Sequence, residues 1–247
     1  MISFIKKPNL PEGKVTTIIC GELCSELNLY LDSRGIERII VEPNNFIDSA
    51  VRYHADMSAI HLGVNKILLD RNQRNLGSVL EEKGLNIHYT SEPIRGEYPS
   101  DIVLNFAIIG ENFLGKVDCA DVKLIDLTEN LNRLSVKQGY CKCSCLVVDE
   151  NAIITDDKSI CNVAAENGID CLLISKGDIL LEGHGYGFIG GASGKISKNE
   201  ILFFGDITKH RDYKKIADFI EKHGCKTISL DFPLTDFGGL IPLIEKL

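Results

Sequence analysis

A histidine and an aspartate two residues apart, His54 and Asp56, are of types that could do acid–base chemistry. They stand just before an apolar stretch, so the chain is expected to be extended there. Side chains two residues apart on an extended chain point to the same side, about 7 Å apart. The carboxylate could then orient the imidazole or share a substrate with it, and Arg52 would lie on the same face. The alternative is a surface loop with an incidental histidine.

Three cysteines alternate with other residues in the segment Cys141-Lys142-Cys143-Ser144-Cys145, which leads into an apolar strand. In a strand the two outer sulfurs would be about 13 Å apart. One zinc ion needs all its sulfur ligands at about 2.3 Å, so it could take two of them at most. Core thiols, a redox-sensitive cluster, or one activated nucleophile beside two bystanders remain open, and no metal site is expected.

A glycine-rich stretch follows Glu182 and His184. Its residues Gly185, Gly187 and Gly190 match the spacing GxGxxG, but that fingerprint requires a helix after the last glycine. Residues 192–196 are instead expected to turn from a strand at 178–181 into another strand, so we predict no nucleotide site. A loop that presents Glu182 and His184 to a central cavity is one alternative, and plain tight-turn packing is the other.

The elements that would hold these residues repeat about every 45 residues as two short strands, a helix and a strand. In the clearest copies the strand pairs span residues 58–70, 144–156 and 195–206, and each pair ends in an aspartate expected to cap the next helix, namely Asp70, Asp156 or Asp206. A weaker copy with almost no helix begins at 101, and the two chain ends would share a fifth. Residues 235–247 would form its strand pair, and residues 15–42 its helix and third strand. We predict one α/β domain over residues 1–247, a pseudo-symmetric propeller with five blades closed by the termini and no free sheet edge. An ordinary α/β domain with loosely similar units is the alternative.

Composition favours a compact soluble domain. A chain of 247 residues with 44% hydrophobic residues can bury about three quarters of its unfolded surface. No stretch reaches the roughly 18 apolar residues of a membrane span and no signal peptide is apparent, so we expect a cytoplasmic protein whose nine cysteines are reduced. The net charge of −8 disfavours nucleic acid and anionic membranes and permits a small cationic ligand. The oligomeric state is not defined by the sequence.

The repeat, the motif His54-x-Asp56 followed by Met57, and the glycine-rich segments with carboxylates resemble the guanidino-group-modifying enzymes, the pentein or α/β-propeller superfamily. The whole length is similar to an uncharacterised bacterial family of this fold, found mostly in clostridia-like organisms. The superfamily includes arginine and agmatine deiminases, dimethylarginine hydrolases and amidinotransferases. The resemblance implies that carboxylates hold a guanidinium group, a thiolate attacks its carbon, and histidine carries the proton through a covalent thiouronium intermediate. This chemistry needs no cofactor.

In those enzymes the nucleophile lies near the C-terminus, in a glycine-rich stretch that looks like residues 238–242, where this chain has no cysteine. The nucleophile also lies about two repeats after the HxD motif. A ring cut at a different blade would place Cys143 at that position, with Lys142 or protonated His54 lowering its pKa. Steps of about 45 residues from His54 reach the neighbourhood of Asp101, Cys143, Gly190 and Asp236. Asp236 is either a second carboxylate facing the cavity or a turn residue that binds its own backbone.

The sequence thus predicts a hydrolase or transferase acting on a small cationic guanidino or amidine compound. A non-catalytic ring is the alternative, either a ligand sensor or a protein-binding module like the ribosome anti-association factors. For a protein-binding module, the acidic balance of this chain would suit a basic partner. The predicted reacting groups are Cys143, His54 and Asp56, and the predicted substrate contacts are Asp236, Glu182, His184, Arg52 and Asp101.

Overall fold

The computed structural model describes residues 1–247 and contains short strands alternating with helices. In chain order the strands are β1 (Ile2–Phe4), β2 (Lys14–Cys20), β3 (Glu37–Ile40), β4 (Ala59–His61), β5 (Lys66–Leu69), β6 (Asn86–Tyr89), β7 (Ala107–Ile109), β8 (Asn112–Gly115), β9 (Asn132–Ser135), β10 (Cys145–Asp149), β11 (Ala152–Thr155), β12 (Asp170–Leu173), β13 (Ser193–Ser197), β14 (Glu200–Phe203), β15 (Lys226–Ile228) and β16 (Leu240–Lys246). The α-helices are α1 (Ser25–Ser33), α2 (Ala55–Ser58), α3 (Arg74–Glu82), α4 (Val122–Leu127), α5 (Cys141–Ser144), α6 (Lys158–Glu166) and α7 (Tyr213–Lys222). None of these helices combines the length and the apolar composition needed to cross a bilayer.

Three separate sheets share one strand arrangement. In each of β4-β5-β6, β7-β8-β9 and β10-β11-β12, the first two strands are antiparallel and the third is parallel to the second. The helix before each third strand makes this parallel pairing possible, because a parallel strand needs a crossover connection. The strand pairs predicted at residues 58–70 and 144–156 are therefore present.

A seven-stranded sheet contains the same arrangement twice, once in β13-β14-β15 and once in β16-β2-β3. The two parts are joined by a single residue pair, Ser197 and Lys14, and β1 adds to β16. Residues 235–247 do not form a strand pair as predicted. They contribute only the seven-residue strand β16. Its antiparallel partner is β2, which also has seven residues and comes from the other end of the chain.

The aspartates predicted to cap helices do so only in part. Asp206 accepts a hydrogen bond from the Thr208 amide at the start of the 3-10 helix 207–209. Asp70 instead binds the amide of Ile94, and the cap of α6 is Asp157, one residue after the predicted Asp156. Loops of different length separate each strand from its helix, so the repeat does not preserve the cap. The weak second copy has a helix after all, the six-residue α4.

The core lies between neighbouring sheets. Five apolar clusters each combine residues of two sheet arrangements, such as Ile154 of β11 with Phe203 of β14, and Ile67 of β5 with Ile19 of β2. Each cluster lies between two neighbouring arrangements. The five pairs are β4–β6 with β7–β9, β7–β9 with β10–β12, β10–β12 with β13–β15, β13–β15 with β16-β2-β3, and β16-β2-β3 with β4–β6. Apolar side chains on both faces of such short strands are buried only by these contacts.

Candidate functional site

Two one-turn helices, α2 and α5, carry the residues singled out in the sequence. Each has four residues and leads directly into the first strand of its sheet, β4 or β10. The extended conformations predicted for 54–56 and 141–145 are therefore wrong. The amide oxygen of Asn105 explains the turn of α5, because it accepts hydrogen bonds from the backbone N–H groups of Lys142 (2.8 Å) and Cys143 (3.2 Å), which a helix start leaves free.

The structure brings His54, Asp56 and Cys143 together. One potential ligand atom from each of the three side chains lies within 4.8 Å of the others. The three residues are 4%, 2% and 2% exposed. His54 Nδ1 and both carboxylate oxygens of Asp56 have no hydrogen-bond partner. Buried polar atoms are rarely left unpaired, so this arrangement is typical of a site that receives a ligand.

Asn105 is a site residue that the sequence reasoning missed. Its side-chain N–H group donates to Cys143 Sγ at 3.0 Å, to the Asp56 carbonyl at 3.1 Å and to Met57 Sδ at 3.3 Å. Asn105 stands two residues before β7, as Met57 stands two before β4 and Cys143 two before β10. Counting back from each predicted strand, rather than forward from His54, is the signal that finds it.

Asp236 lines the same cavity as Cys143. Its Oδ1 lies 3.7 Å from His54 Nδ1. Its two oxygens accept hydrogen bonds from the backbone N–H groups of Gly238 (3.0 Å) and Phe188 (2.8 Å). Both alternatives raised for this residue therefore hold, since it binds its own turn and also lines the cavity.

Glycines permit this close packing. A Cβ atom on Gly191 would lie 2.0 Å from Asp236 Oδ1, and one on Gly190 would lie 2.4 Å from the Lys142 carbonyl oxygen. Gly238 has φ +79°, and a Cβ there would lie 2.4 Å from the Cα of His54. Residues 238–242, where the resemblance places a cysteine, therefore have no room for a side chain at 238. No helix follows the glycine-rich loop, and in place of the predicted strand 178–181 there is only a bridge between Leu180 and Thr235.

The cavity above these residues has a volume of about 240 Å³. His184 lies at its edge, 3.4 Å from Asp48 and 44% exposed. Asp56 does not line the cavity. The residues that line the cavity are Asp48, Val51, His54, Tyr140, Cys143, Leu181, His184, Gly185, Tyr186, Phe188 and Asp236.

Three other predicted residues lie farther from the thiol. Arg52 and Glu182 line an adjoining hollow of about 720 Å³ that shares His54, Leu181 and Asp236 with the first cavity. Asp101 reaches the cavity only through Tyr140, whose hydroxyl donates to Asp101 Oδ2 at 2.7 Å. Arg52 and Glu182 therefore do not line the cavity that contains Cys143, and Asp101 contacts the lining residue Tyr140.

The other cysteines of the triplet belong to the core. Cys141 and Cys145 are fully buried in an apolar cluster with residues such as Ala107 and Val147. They interact with each other, which raises the pKa of Cys145, so the predicted separation of about 13 Å is wrong. One helical turn places residues four apart on the same side, and Cys143 alone points to the cavity.

Burial controls the electrostatics of the site. Desolvation raises the pKa of Asp56 to about 6, although His54 and Lys142 act in the opposite direction. Burial raises the pKa of the Cys143 thiol well above its usual value, and Asp56 and Asp236 add to this effect. The lowered thiol pKa expected from Lys142 or His54 is therefore wrong for the ligand-free protein. A cation near Cys143 would be stabilised by the same carboxylates.

The fold is similar to that of solved guanidino-group-modifying enzymes. Inosamine-phosphate amidinotransferase from Streptomyces griseus superposes with a TM-score of 0.63, 10% identity, and coverage of 98% of this chain and 97% of that one. An amidinotransferase of saxitoxin biosynthesis from Microseira wollei gives a TM-score of 0.61, 11% identity, and 97% of both chains. A Cys-to-Ser variant of C. jejuni agmatine deiminase with substrate bound gives a TM-score of 0.51, 14% identity, and coverage of 94% of this chain and 91% of that one.

These likenesses define the class of fold. The chain has a mixed α/β fold similar to that of these pentein enzymes, which confirms the predicted resemblance in fold. Residues 18–241 match the family described as "Family of unknown function (DUF6873)", and the chain belongs to that family. No curated protein matches the chain.

Proposed function

We propose that residues 1–247 form one five-bladed ring whose central cavity acts on a guanidino or amidine group through Cys143. The ring is supported by the five apolar clusters, because each joins two consecutive sheet arrangements and the last leads back to the first. A ring closed through β2 and β16 leaves no unit without a neighbour on either side.

The observation that carries the function is the position of the Cys143 thiol. It opens into a cavity beside a histidine and two carboxylates, Asp56 and Asp236, at buried positions. A guanidinium group is a planar cation whose N–H groups pair with carboxylates. The cavity therefore offers a nucleophile, a proton carrier and the Asp236 carboxylate for one such group, and Asp56 lies close to the thiol without lining the cavity.

The reaction would proceed in two steps. Cys143 Sγ forms a bond to the guanidinium carbon while its proton passes to His54, and the C–N bond breaks as the departing amine takes that proton. Water, or an acceptor amine in a transfer, then attacks the carbon of the thiouronium adduct and gives a proton to His54. The S–C bond breaks, and His54 returns a proton to the thiolate. The Asp236 carboxylate accepts hydrogen bonds from the remaining N–H groups in both steps.

The raised pKa of Cys143 gives this proposal a specific form. A neutral ligand leaves the thiol protonated, whereas a cation beside Cys143, Asp56 and Asp236 offsets the charge repulsion that disfavours the thiolate. Thiolates are the reactive form of cysteine. The thiol should therefore be activated by the positive charge of its own substrate.

Labelling of the native protein with 2-chloroacetamidine, a cationic guanidine-shaped electrophile, tests this. Iodoacetamide is the neutral comparison, and modified cysteines are mapped by peptide mass spectrometry. We expect Cys143 to react with the amidine at least about tenfold faster than Cys24, which is more exposed and lines the other hollow. His54→Ala should remove this preference, and Cys141→Ser, a change in the same helix but in the core, should keep it.

Slow labelling without preference for Cys143 would overturn the proposal. It would favour a ring that binds a ligand or a protein without covalent chemistry. The same ratio of Cys143 to Cys24 labelling rates with both reagents would contradict activation by the cation, because this ratio cancels the different leaving groups of the two electrophiles.

A further inference from the structure

We propose that His54, Asp56 and Cys143 also form a binding site for one divalent transition-metal ion, with Zn²⁺ as the best fit. The inference goes beyond the proposed reaction, since metal and thiol adduct would compete for the same sulfur. Imidazole nitrogen, thiolate sulfur and carboxylate oxygen are the three ligand types that Zn²⁺ takes from proteins.

The geometry is close to that of a bound ion. The three ligand atoms lie within 4.8 Å of one another. Zinc bonds of about 2.0–2.3 Å in a tetrahedron place ligand atoms about 3.2–3.8 Å apart. The side chains would need to close by about 1 Å to hold the ion.

The unpaired atoms point to a ligand in this position. His54 Nδ1, Asp56 Oδ1 and Asp56 Oδ2 are buried and have no hydrogen-bond partner. Each could donate a lone pair to one ion, which would satisfy the atoms together rather than one by one.

The surroundings resemble the outer shell of a zinc site. The Asn105 side chain donates to Cys143 Sγ at 3.0 Å and holds the sulfur, as outer partners of metal ligands do. Asp236 Oδ1 lies 3.7 Å from His54 Nδ1. The fourth coordination position would open to the cavity of about 240 Å³ and could hold water. The sequence predicts no metal because the cysteine triplet alone supplies the candidate ligands there.

Cobalt is the probe that tests this site. Chelator-treated full-length protein is titrated with CoCl₂ and followed by absorption spectroscopy. We expect one equivalent to bind, with a sulfur-to-cobalt charge-transfer band and the intense visible bands of four-coordinate Co²⁺, and Zn²⁺ to displace it. Cys143→Ser should lose the charge-transfer band, and Asp56→Asn should weaken binding at least about tenfold. Cys141→Ser should bind as the wild type does.

A band that persists in Cys143→Ser, or the absence of stoichiometric binding, would overturn the site. If Cys143→Ser does not fold, the wild type suffices, because Zn²⁺ should protect Cys143 from iodoacetamide and leave Cys24 reactive. Selective amidine labelling without metal binding would refute the metal site and leave the proposed function intact. Metal binding without selective labelling would support the metal site and refute the proposed function.

Discussion

The helices α2 and α5 have the same local structure and different chemistry. Both are one turn long, both lead into the first strand of a three-stranded sheet, and in both the third residue carries a sulfur that accepts a hydrogen bond from Asn105. In α2 that residue is Met57, and in α5 it is Cys143. His54 is the N-cap residue of α2, and Asp56 is its second residue. The matching positions of α5 are Tyr140 and Lys142.

The difference shows how a repeated frame builds an asymmetric site. The frame sets the positions, because residues just before equivalent strands converge on Asn105 and on the glycine loop. In the proposed reaction the side chains have different roles, since α2 supplies proton transfer and α5 the nucleophile. Neither helix could form the site alone, because the N–H groups of α5 are satisfied by an amide from a third sheet arrangement.

The largest effect is expected when the shared contact is removed. Asn105→Ala leaves the buried amides of Lys142 and Cys143 and the carbonyl of Asp56 without partners. Each unsatisfied buried group costs about 1–3 kcal/mol, so the free energy of unfolding should fall by about 4 kcal/mol in a urea titration. Asn167→Ala, at an exposed helix end, should change it by less than about 1 kcal/mol. Equal small losses in both variants would mean that Asn105 does not link the two helices.

The second effect concerns Asp56, which α5 lacks. Its folded-state pKa of about 6 lies above an unfolded value of about 3.9, so ionisation opposes folding. Its protonated form contributes stability at low pH, and this contribution is lost as the pH rises from about 4 to about 6. Asp56→Asn cannot ionise, so between pH 4 and pH 7 its free energy of unfolding should gain about 3 kcal/mol relative to the wild type.

The control for Asp56 is a second buried carboxyl group outside the site. Burial also raises the pKa of Asp156 to about 6, so Asp156→Asn should change the pH dependence in the same direction. Only Asp56→Asn should alter the labelling of Cys143. Parallel stability curves for Asp56→Asn and wild type across this pH range would show that the carboxyl titrates normally.

The third effect tests the contact between Gly191 of the glycine-rich loop and Asp236, which lines the cavity. Gly191→Ala would place a methyl group 2.0 Å from Asp236 Oδ1, which two backbone amides hold in place. We expect a loss of about 2 kcal/mol in the free energy of unfolding and slower amidine labelling of Cys143. Gly185→Ala is the matched control in the same loop, since nothing lies within 4 Å of its added methyl group. If Gly185→Ala were as damaging, the contact with Asp236 would not be the cause.

The strands and the longer helices of the fold could be predicted because their signals are local. Apolar runs around polar turns indicate β4-β5 and β10-β11, and the repeat indicates a helix after each pair, which the structure has as α3 and α6. The pairing of β2 with β16 joins the two ends of the chain, and only the phase of the repeat indicates it. The wrong assignment of both strands to residues 235–247 follows from counting within one segment.

The site was less predictable because long-range contacts shape it. The turn of α5 depends on Asn105, 37 residues away from Lys142, so no local pattern distinguishes it from a strand. The repeat count does lead to Cys143 and to Asp236. It does not show that Arg52 and Glu182 line the neighbouring hollow, because the direction of a loop side chain is decided by tertiary packing.

The smallest effect is expected when α2 is made more like α5. Met57→Cys introduces a thiol at the matching position, but Met57 is 1% exposed, packs against Val51 and Ile102, and does not line the cavity. The lost volume should lower the free energy of unfolding by about 1–2 kcal/mol. Amidine labelling should still stop at one modified cysteine, Cys143, as counted by intact-protein mass spectrometry. Met57→Leu, which keeps the volume, is the control for packing. If the introduced thiol reacted as fast as Cys143, reactivity would come from the shared helix frame and not from access to the cavity and its carboxylates.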